Sequence, residues 1–324
     1  MNVPDLPNIS VPAPQLFLCS AQEVDGQGEW LFWSKAPSPI LEQSIKDRGQ
    51  LVPVVVDASG SRPVLIAGAA RLQVLSALNR DVLCLDVGAQ SLWDKGCMYL
   101  ASNSQEIVDD SRLVFALRFF HALDAGRLGE VFSALGLDPR SRQARLALSW
   151  LKLPRVWDEL LAMGHLSLPC AVGLCSFDPD DLQTLFPFFS TWSWSRSGAN
   201  NVLTWIKEIM IRDRKKAAAV LEALGGQEIL DTQLSPKDAM TTLSAAIWSM
   251  RFPHWSAMEE KFSTAAKAIV NKTKWQLSHK DQFETGFVEL TTRVANGSEL
   301  QQAITDLVAL GSHPMWDELF EEKD

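Results

Sequence analysis

SIKDRGQLVPVVVDASGSRPVLIAGAARLQVLSAL, residues 44–78, is the stretch that decides the fold. Just before and into it, Ile40, Leu41 and Ile45 stand at helical spacing and Gly49 follows as a stop signal, which predicts a short amphipathic helix. Residues 51–56 are apolar and β-branched and predict a strand. Asp57-Ala58-Ser59-Gly60-Ser61 is turn chemistry, and 63–67 predicts a second strand. Gly68 then opens a helix with Leu72, Leu75 and Leu78 on its apolar face. A helix that starts on glycine presents bare backbone N–H groups, and with Arg71 beside them this turn suits the phosphates of a nucleotide triphosphate.

Two more strands are predicted over 16–19 and 82–87, so residues 16–100 read as a small α/β domain. The hydrophilic segment 101–111 reads as a connector or a helix start. Beyond it the period becomes helical, with Leu113, Leu117 and Phe120 on one face. A short helix over 128–135 is stopped by Gly136. Asp138-Pro139 predicts the start of a helix over 140–151, which halts before Pro154. A further helix over 156–163 ends at Gly164. Short helix, glycine turn and second helix form the helix–turn–helix arrangement.

In this order the elements resemble the ParB partition-protein family, whose N-terminal domain shares a fold with sulfiredoxin. Leu151-Lys152-Leu153-Pro154 and Gly164-His165-Leu166-Ser167 match the family's segments after the helix–turn–helix, and the resemblance covers about residues 40–185. It implies an α+β chain. An extended arm over 1–15 precedes a ParB/sulfiredoxin-like α/β domain over 16–100 and an all-α helix–turn–helix DNA-binding domain over 101–190. The remainder, 191–324, is expected to be a helical domain outside the resemblance. The family implies double-stranded DNA as partner and CTP with magnesium as cofactor, held here by Gly68, Ala69, Ala70, Arg71 and Asn103.

The nucleotide motif departs from the family pattern. Gly-Glu-Arg-Arg-x-Arg reads Gly68-Ala69-Ala70-Arg71-Leu72-Gln73, and Ser102 replaces the Glu of the Glu-Asn pair that helps hold magnesium. A hard cation prefers carboxylate oxygen. Val52 stands before Pro53 where the family often carries Gln. The expectation is weak or absent CTP and ATP binding with negligible hydrolysis. Ala69 and Ala70 also replace the Cys and His of the sulfiredoxin motif, so no thiol chemistry is expected at this turn. No catalytic or metal-ligating residue is assigned.

The formal charge is −9, unfavourable for nucleic acid in bulk. Residues 112–155 run the other way: eight Arg and Lys face Asp124, Glu130 and Asp138, a window of +5. Within it Arg140, Ser141, Arg142, Gln143 and Arg145 are the expected DNA contacts, Arg142 and Arg145 sharing a helix face. A plain solvated face is the alternative.

Apolar residues make up 47% of 324, enough for a sizeable core, and no run of 18 apolar residues suggests a membrane span. The N-terminus lacks a signal-peptide pattern, and Cys19, Cys84, Cys97, Cys170 and Cys175 form no CxxC pair, so a reducing cytoplasm is expected, and the ParB resemblance implies a prokaryotic one. Twelve tryptophans is a high number, and Phe186, Phe188, Phe189, Trp192 and Trp194 read as packing at a domain junction. In the C-terminal part helices are predicted over 202–212, 215–224, 236–250, 257–277, 282–294 and 298–310, with a homodimer or a protein partner engaging there. Two rival readings stand beside DNA binding. One is an interaction module that keeps the fold without DNA or nucleotide. The other, given least weight, is a phosphoryl-transfer enzyme in the sulfiredoxin-like cleft.

Overall fold

The computed structural model describes residues 14–33, 36–104, 108–279 and 287–320. Most of the expected arm, Gln105, Glu106 and Ile107 of the connector, and 282–286 of the helix expected over 282–294 lie outside the described residues. The chain divides into two compact units, Met1–Leu203 and Thr204–Asp324.

The first unit opens with β1 (Gln15–Ser20), α1 (Pro39–Arg48), β2 (Val54–Asp57), β3 (Val64–Ala67), α2 (Ala69–Ala77) and β4 (Asp81–Asp86). The sheet order is β1-β4-β2-β3, antiparallel except for the parallel β4–β2 pair. Ser38 caps α1 and Gly49 ends it at φ +73°. Val54, Val56, Leu65 and Val82 are fully buried under Leu72 and Leu75 of α2. The expected strand over 51–56 starts at Val54 instead. Pro53 has no N–H to give a ladder, and the Gln50 side chain takes the place of backbone: it accepts from Leu83 N–H at 2.7 Å and donates to Leu83 C=O at 2.9 Å.

Helices complete this unit: α3 (Leu92–Ser102), α4 (Asp110–Asp124), α5 (Leu128–Ala134), α6 (Arg142–Trp150), α7 (Val156–Ala162), α8 (Ala171–Leu174) and α9 (Pro179–Ser190). The sequence places a boundary at 100/101, but an aromatic cluster spans it. Phe32 packs against Tyr99 at 5.4 Å and Phe119 at 5.2 Å, and Trp93 meets Phe120 at 4.8 Å. A Cβ at Gly96 would lie 2.7 Å from Phe120, so α3 reaches α4 this closely only through glycine. Of the segment expected as a connector or helix start, Ala101 and Ser102 end α3 and Asp110 and Ser111 begin α4. Phe188, Phe189, Trp192 and Trp194 are buried within the same unit, where Phe189 packs on Trp157 of α7.

α10 (Arg196–Asp213) contains the division between units. The second unit continues with α11 (Ala217–Ala223), α12 (Gly226–Asp231), α13 (Pro236–Arg251), α14 (Pro253–Ile269), β5 (Gln276–Ser278), β6 (Glu289–Thr291), α15 (Gly297–Gly311) and α16 (Met315–Phe320). The all-helical expectation is corrected here. β5 and β6 pair antiparallel, Leu277 opposite Leu290, where helices had been expected over 257–277 and 282–294. Lys272 at φ +61° and the Thr273 hydroxyl, which accepts from Trp275 N–H at 3.2 Å, turn the chain out of α14. These are local backbone events that an apolar period does not reveal.

Candidate functional site

Two candidate surfaces lie in the first unit. The first is a cleft of about 370 Å³ where β3 meets α2. Gly68, Ala69, Ala70 and Arg71 line one side, Asn103 another, and Trp33 and Tyr99 add aromatic wall. The structure therefore gathers in one cleft the five residues that the sequence singles out for nucleotide. Gly68 is the N-cap of α2 at φ +101°, a region that favours glycine. A Cβ there would sit 2.9 Å from Arg71 Nη2 and 3.0 Å from Val54 Cγ1.

Arg71 folds back over this turn. Its guanidinium is half-buried and holds no partner among the described residues, and burial lowers its pKa. A desolvated cation without a counter-charge is costly and is complemented by an anion. Asn103 has a structural duty: it caps α3, and its side-chain amide donates to Tyr99 C=O at 2.8 Å. The cleft fits a phosphate better than a magnesium ion. Among the described residues none that lines it is Asp or Glu, and magnesium is bound through carboxylates or phosphate oxygens.

Asp57 and Asp86, at the ends of the neighbouring strands β2 and β4, are engaged elsewhere. Asp57 pairs with Lys95 at 2.9 Å and accepts from Ser59 Oγ at 2.5 Å, while Asp86 accepts from Ala58 and Gly88 N–H groups. Burial alone would raise the Asp57 carboxyl. Hydrogen bonds from Ser59, Lys95 and Gln90 outweigh it and hold the pKa at about 2. Neither Asp57 nor Asp86 lines the cleft, so it offers no acid–base pair among the described residues.

The second surface is α6 with the turn before it. α5 ends, Gly136 turns the chain at φ +68°, and Ser141 caps α6 by accepting from Ala144 N–H at 3.1 Å. The cap expected at Asp138 is thus displaced. Asp138 closes a tight turn onto Arg140 N–H at 2.8 Å, and Ser141 stands nearer the first buried residue, Ala144. Ala144, Ala147 and Trp150 bury the inner face of α6. Gln143 donates to Asp110 at 2.9 Å and fixes the helix to the start of α4. Of the five expected DNA contacts, then, Ser141 and Gln143 hold the helix in place. Arg140, Arg142 and Arg145 are exposed, and their guanidinium groups have no partner among the described residues.

The +5 window is not uniformly available. Arg118 is bound to Asp158 through two hydrogen bonds and donates to the carbonyls of Leu151 at 3.0 Å and Leu153 at 2.8 Å. Trp150 Nε1–H completes the group by donating to Asp158 at 2.9 Å. This buried network pins the Leu151–Pro154 turn that follows α6. Arg112 is buried, and Arg127 pairs with Glu130 while lying 4.2 Å over Trp93. The exposed cations left in the window are Arg140, Arg142, Arg145, Lys152 and Arg155.

No protein-family model and no curated protein matches the sequence. Among solved structures, a C-terminally truncated chromosome-partitioning protein ParB from Caulobacter crescentus, complexed with CTP-gamma-S, is 14% identical with a TM-score of 0.25. The match covers 54% of this chain and 98% of that one. A Pnob8-like ParB-N domain is 16% identical with a TM-score of 0.36, covering 72% of this chain and 98% of that one.

Proposed function

We propose that this chain is a ParB-like DNA-binding protein, serving partition or transcription control, whose reading element is α6. The observation that carries this is the division of labour at α6: one face is buried, while Arg142 and Arg145 on the helix and Arg140 in the turn before it are exposed and have no partner among the described residues. A cationic helix start anchored from behind is the device by which a recognition helix meets phosphates and guanine edges in a major groove. Lys152 and Arg155 continue the positive strip past the turn. The Gly68 cleft serves as a phosphate site of low affinity on this reading. The Arg71 guanidinium and the α2 N-terminus would hold the anion, without magnesium-dependent hydrolysis.

Fluorescence anisotropy on random genomic duplexes at two salt concentrations tests the main claim. Wild type should bind, most clearly at low salt because the chain is acidic overall, and Arg142→Ala with Arg145→Ala should flatten the salt dependence by about one unit per lost phosphate contact. A double variant with unchanged affinity and slope means that α6 is not the reader. Failure of the wild type to bind any duplex at low salt leaves the interaction-module reading in its place. For the cleft, calorimetric titration showing low-micromolar CTP or ATP with magnesium would overturn the low-affinity assignment.

A further inference from the structure

The second unit carries an aromatic assembly that none of these roles uses. Trp205 of α10, Trp248 of α13 and Trp255 of α14 meet with ring centroids 5.0 and 5.7 Å apart and planes crossed at 67° and 84°. Phe252 backs Trp248 at 4.1 Å. The three indoles stay partly exposed, whereas Trp192 and Trp194 of the first unit are buried. They line an open groove of about 900 Å³ that also takes in Glu259 and Glu260. Grouped indole surface left in contact with water marks a binding surface more often than a finished core.

The chemistry of the groove selects the sign of its occupant. Indole faces attract cations, and carboxylates beside them add the matching charge. Glu259 is engaged by His279 at 2.8 Å. Glu260 is exposed and holds no partner among the described residues. Among the described residues, no Lys or Arg lines the groove. Arg251, the nearest cation in sequence, pairs with Glu208 and lies over the Phe252 ring instead.

The chain already contains an example of what such a surface accepts. Arg127 lies 4.2 Å over Trp93 while donating to both oxygens of Glu130, at 2.9 and 2.8 Å. The groove has the indoles and the carboxylate of that arrangement but not the arginine. We propose that it receives an arginine side chain from a basic segment of a partner protein, stacked on the indoles and paired with Glu260. A planar guanidinium can stack and fork at once, which a lysine ammonium cannot. The groove is larger than one side chain, so residues flanking the arginine lie along it.

Tryptophan fluorescence of the full chain, titrated with an acetylated, amidated Ala-Arg-Ala-Arg-Ala peptide, tests this. The uncharged citrulline peptide, the lysine peptide and tetramethylammonium serve as comparisons. The arginine peptide should bind at least about tenfold tighter than the citrulline peptide, with lysine between them. Ala245→Arg, at an exposed α13 position in the groove, should weaken it at least about tenfold, and Glu260→Gln about threefold. Both are solvent-side changes on good helix formers, and circular dichroism should show them folded. Equal affinity for the arginine and citrulline peptides overturns the proposal. So does an Ala245→Arg variant that binds like wild type, because the attraction is then the general acidity of the chain. Tetramethylammonium binding as tightly as the arginine peptide overturns it in favour of a small quaternary cation.

Discussion

Arg118 and Arg142 belong to one stretch that reads as evenly basic, yet they occupy opposite environments. Arg118 is only partly exposed, shares two hydrogen bonds with the buried Asp158 and holds two carbonyls of the turn after α6. Arg142 stands exposed at the first turn of α6 with no partner among the described residues. One arginine builds the platform and the other is presented by it. Charge counted along a sequence measures neither role. What separates them is whether folding brings a carboxylate and backbone acceptors to the guanidinium.

The sharpest way to break this comparison is Asp158→Ala. It leaves the partly buried Arg118 without its counter-ion and the buried Trp150 Nε1–H without an acceptor, and it should cost about 3 kcal/mol. Urea denaturation measures this. A cost no larger than that of Arg145→Ala would dissolve the distinction.

The Asp57–Lys95 pair extends the paired class to the other end of the unit. The Asp57 carboxyl lies at about 2 against an ordinary 3.8. A depressed carboxyl contributes stability that is fully present above its unfolded value and fades as pH falls through the folded one. That contribution, about 2 kcal/mol, should therefore be complete at pH 5 and largely gone by pH 2. Asp57→Asn should lower stability at pH 5 and make the loss between pH 4 and pH 2 shallower. Denaturation curves that stay parallel for wild type and variant over that window would place the stabilisation elsewhere.

Arg71 is an intermediate case, half-buried like a structural arginine but, like a presented one, without a partner among the described residues. If it is kept for an anion, removing it relieves a desolvation cost. Arg71→Leu should leave stability unchanged or raise it by less than about 1 kcal/mol, while abolishing whatever phosphate affinity the cleft has. Thermal unfolding with and without added phosphate separates the two effects. A clear loss of stability without ligand would make Arg71 part of the platform.

The smallest stability effect belongs to Arg142→Ala with Arg145→Ala, which should change stability by no more than about 0.5 kcal/mol. Its consequence should appear instead in the salt dependence of DNA binding. A variant that loses several kcal/mol would show that these side chains hold structure after all.

Much of the architecture is legible in consecutive residues. Gly49, Gly136 and Gly164 stop their helices at positive φ where the sequence punctuates. The run from β2 through the Gly68 turn to α2 follows from alternating apolar residues and one glycine. These features are local: they depend on the period of apolar side chains and on which residue tolerates a left-handed backbone. The cleft was half legible. A motif match brings Asn103 to the Gly68 turn, but Trp33 and Tyr99 join it only through aromatic packing of α3 on α4. The Ser141 cap was hidden by a competing signal at Asp138-Pro139, and the β5–β6 pair by an apolar run that continues the helical pattern of α14.

By itself, the amino-acid sequence determined the elements whose causes lie within a few residues: the strands of the first unit, most of the helices and the turns that divide them. It also placed the arginines of α6 at a helix start. Only the tertiary structure decided which charges are consumed and which are offered. Arg118 meets Asp158 across forty positions of chain, Lys95 meets Asp57 across two intervening strands and a helix, and Trp205 meets Trp248 from another helix. Such pairings depend on which surfaces pack together, and packing sums weak contacts over the whole unit rather than over any one stretch.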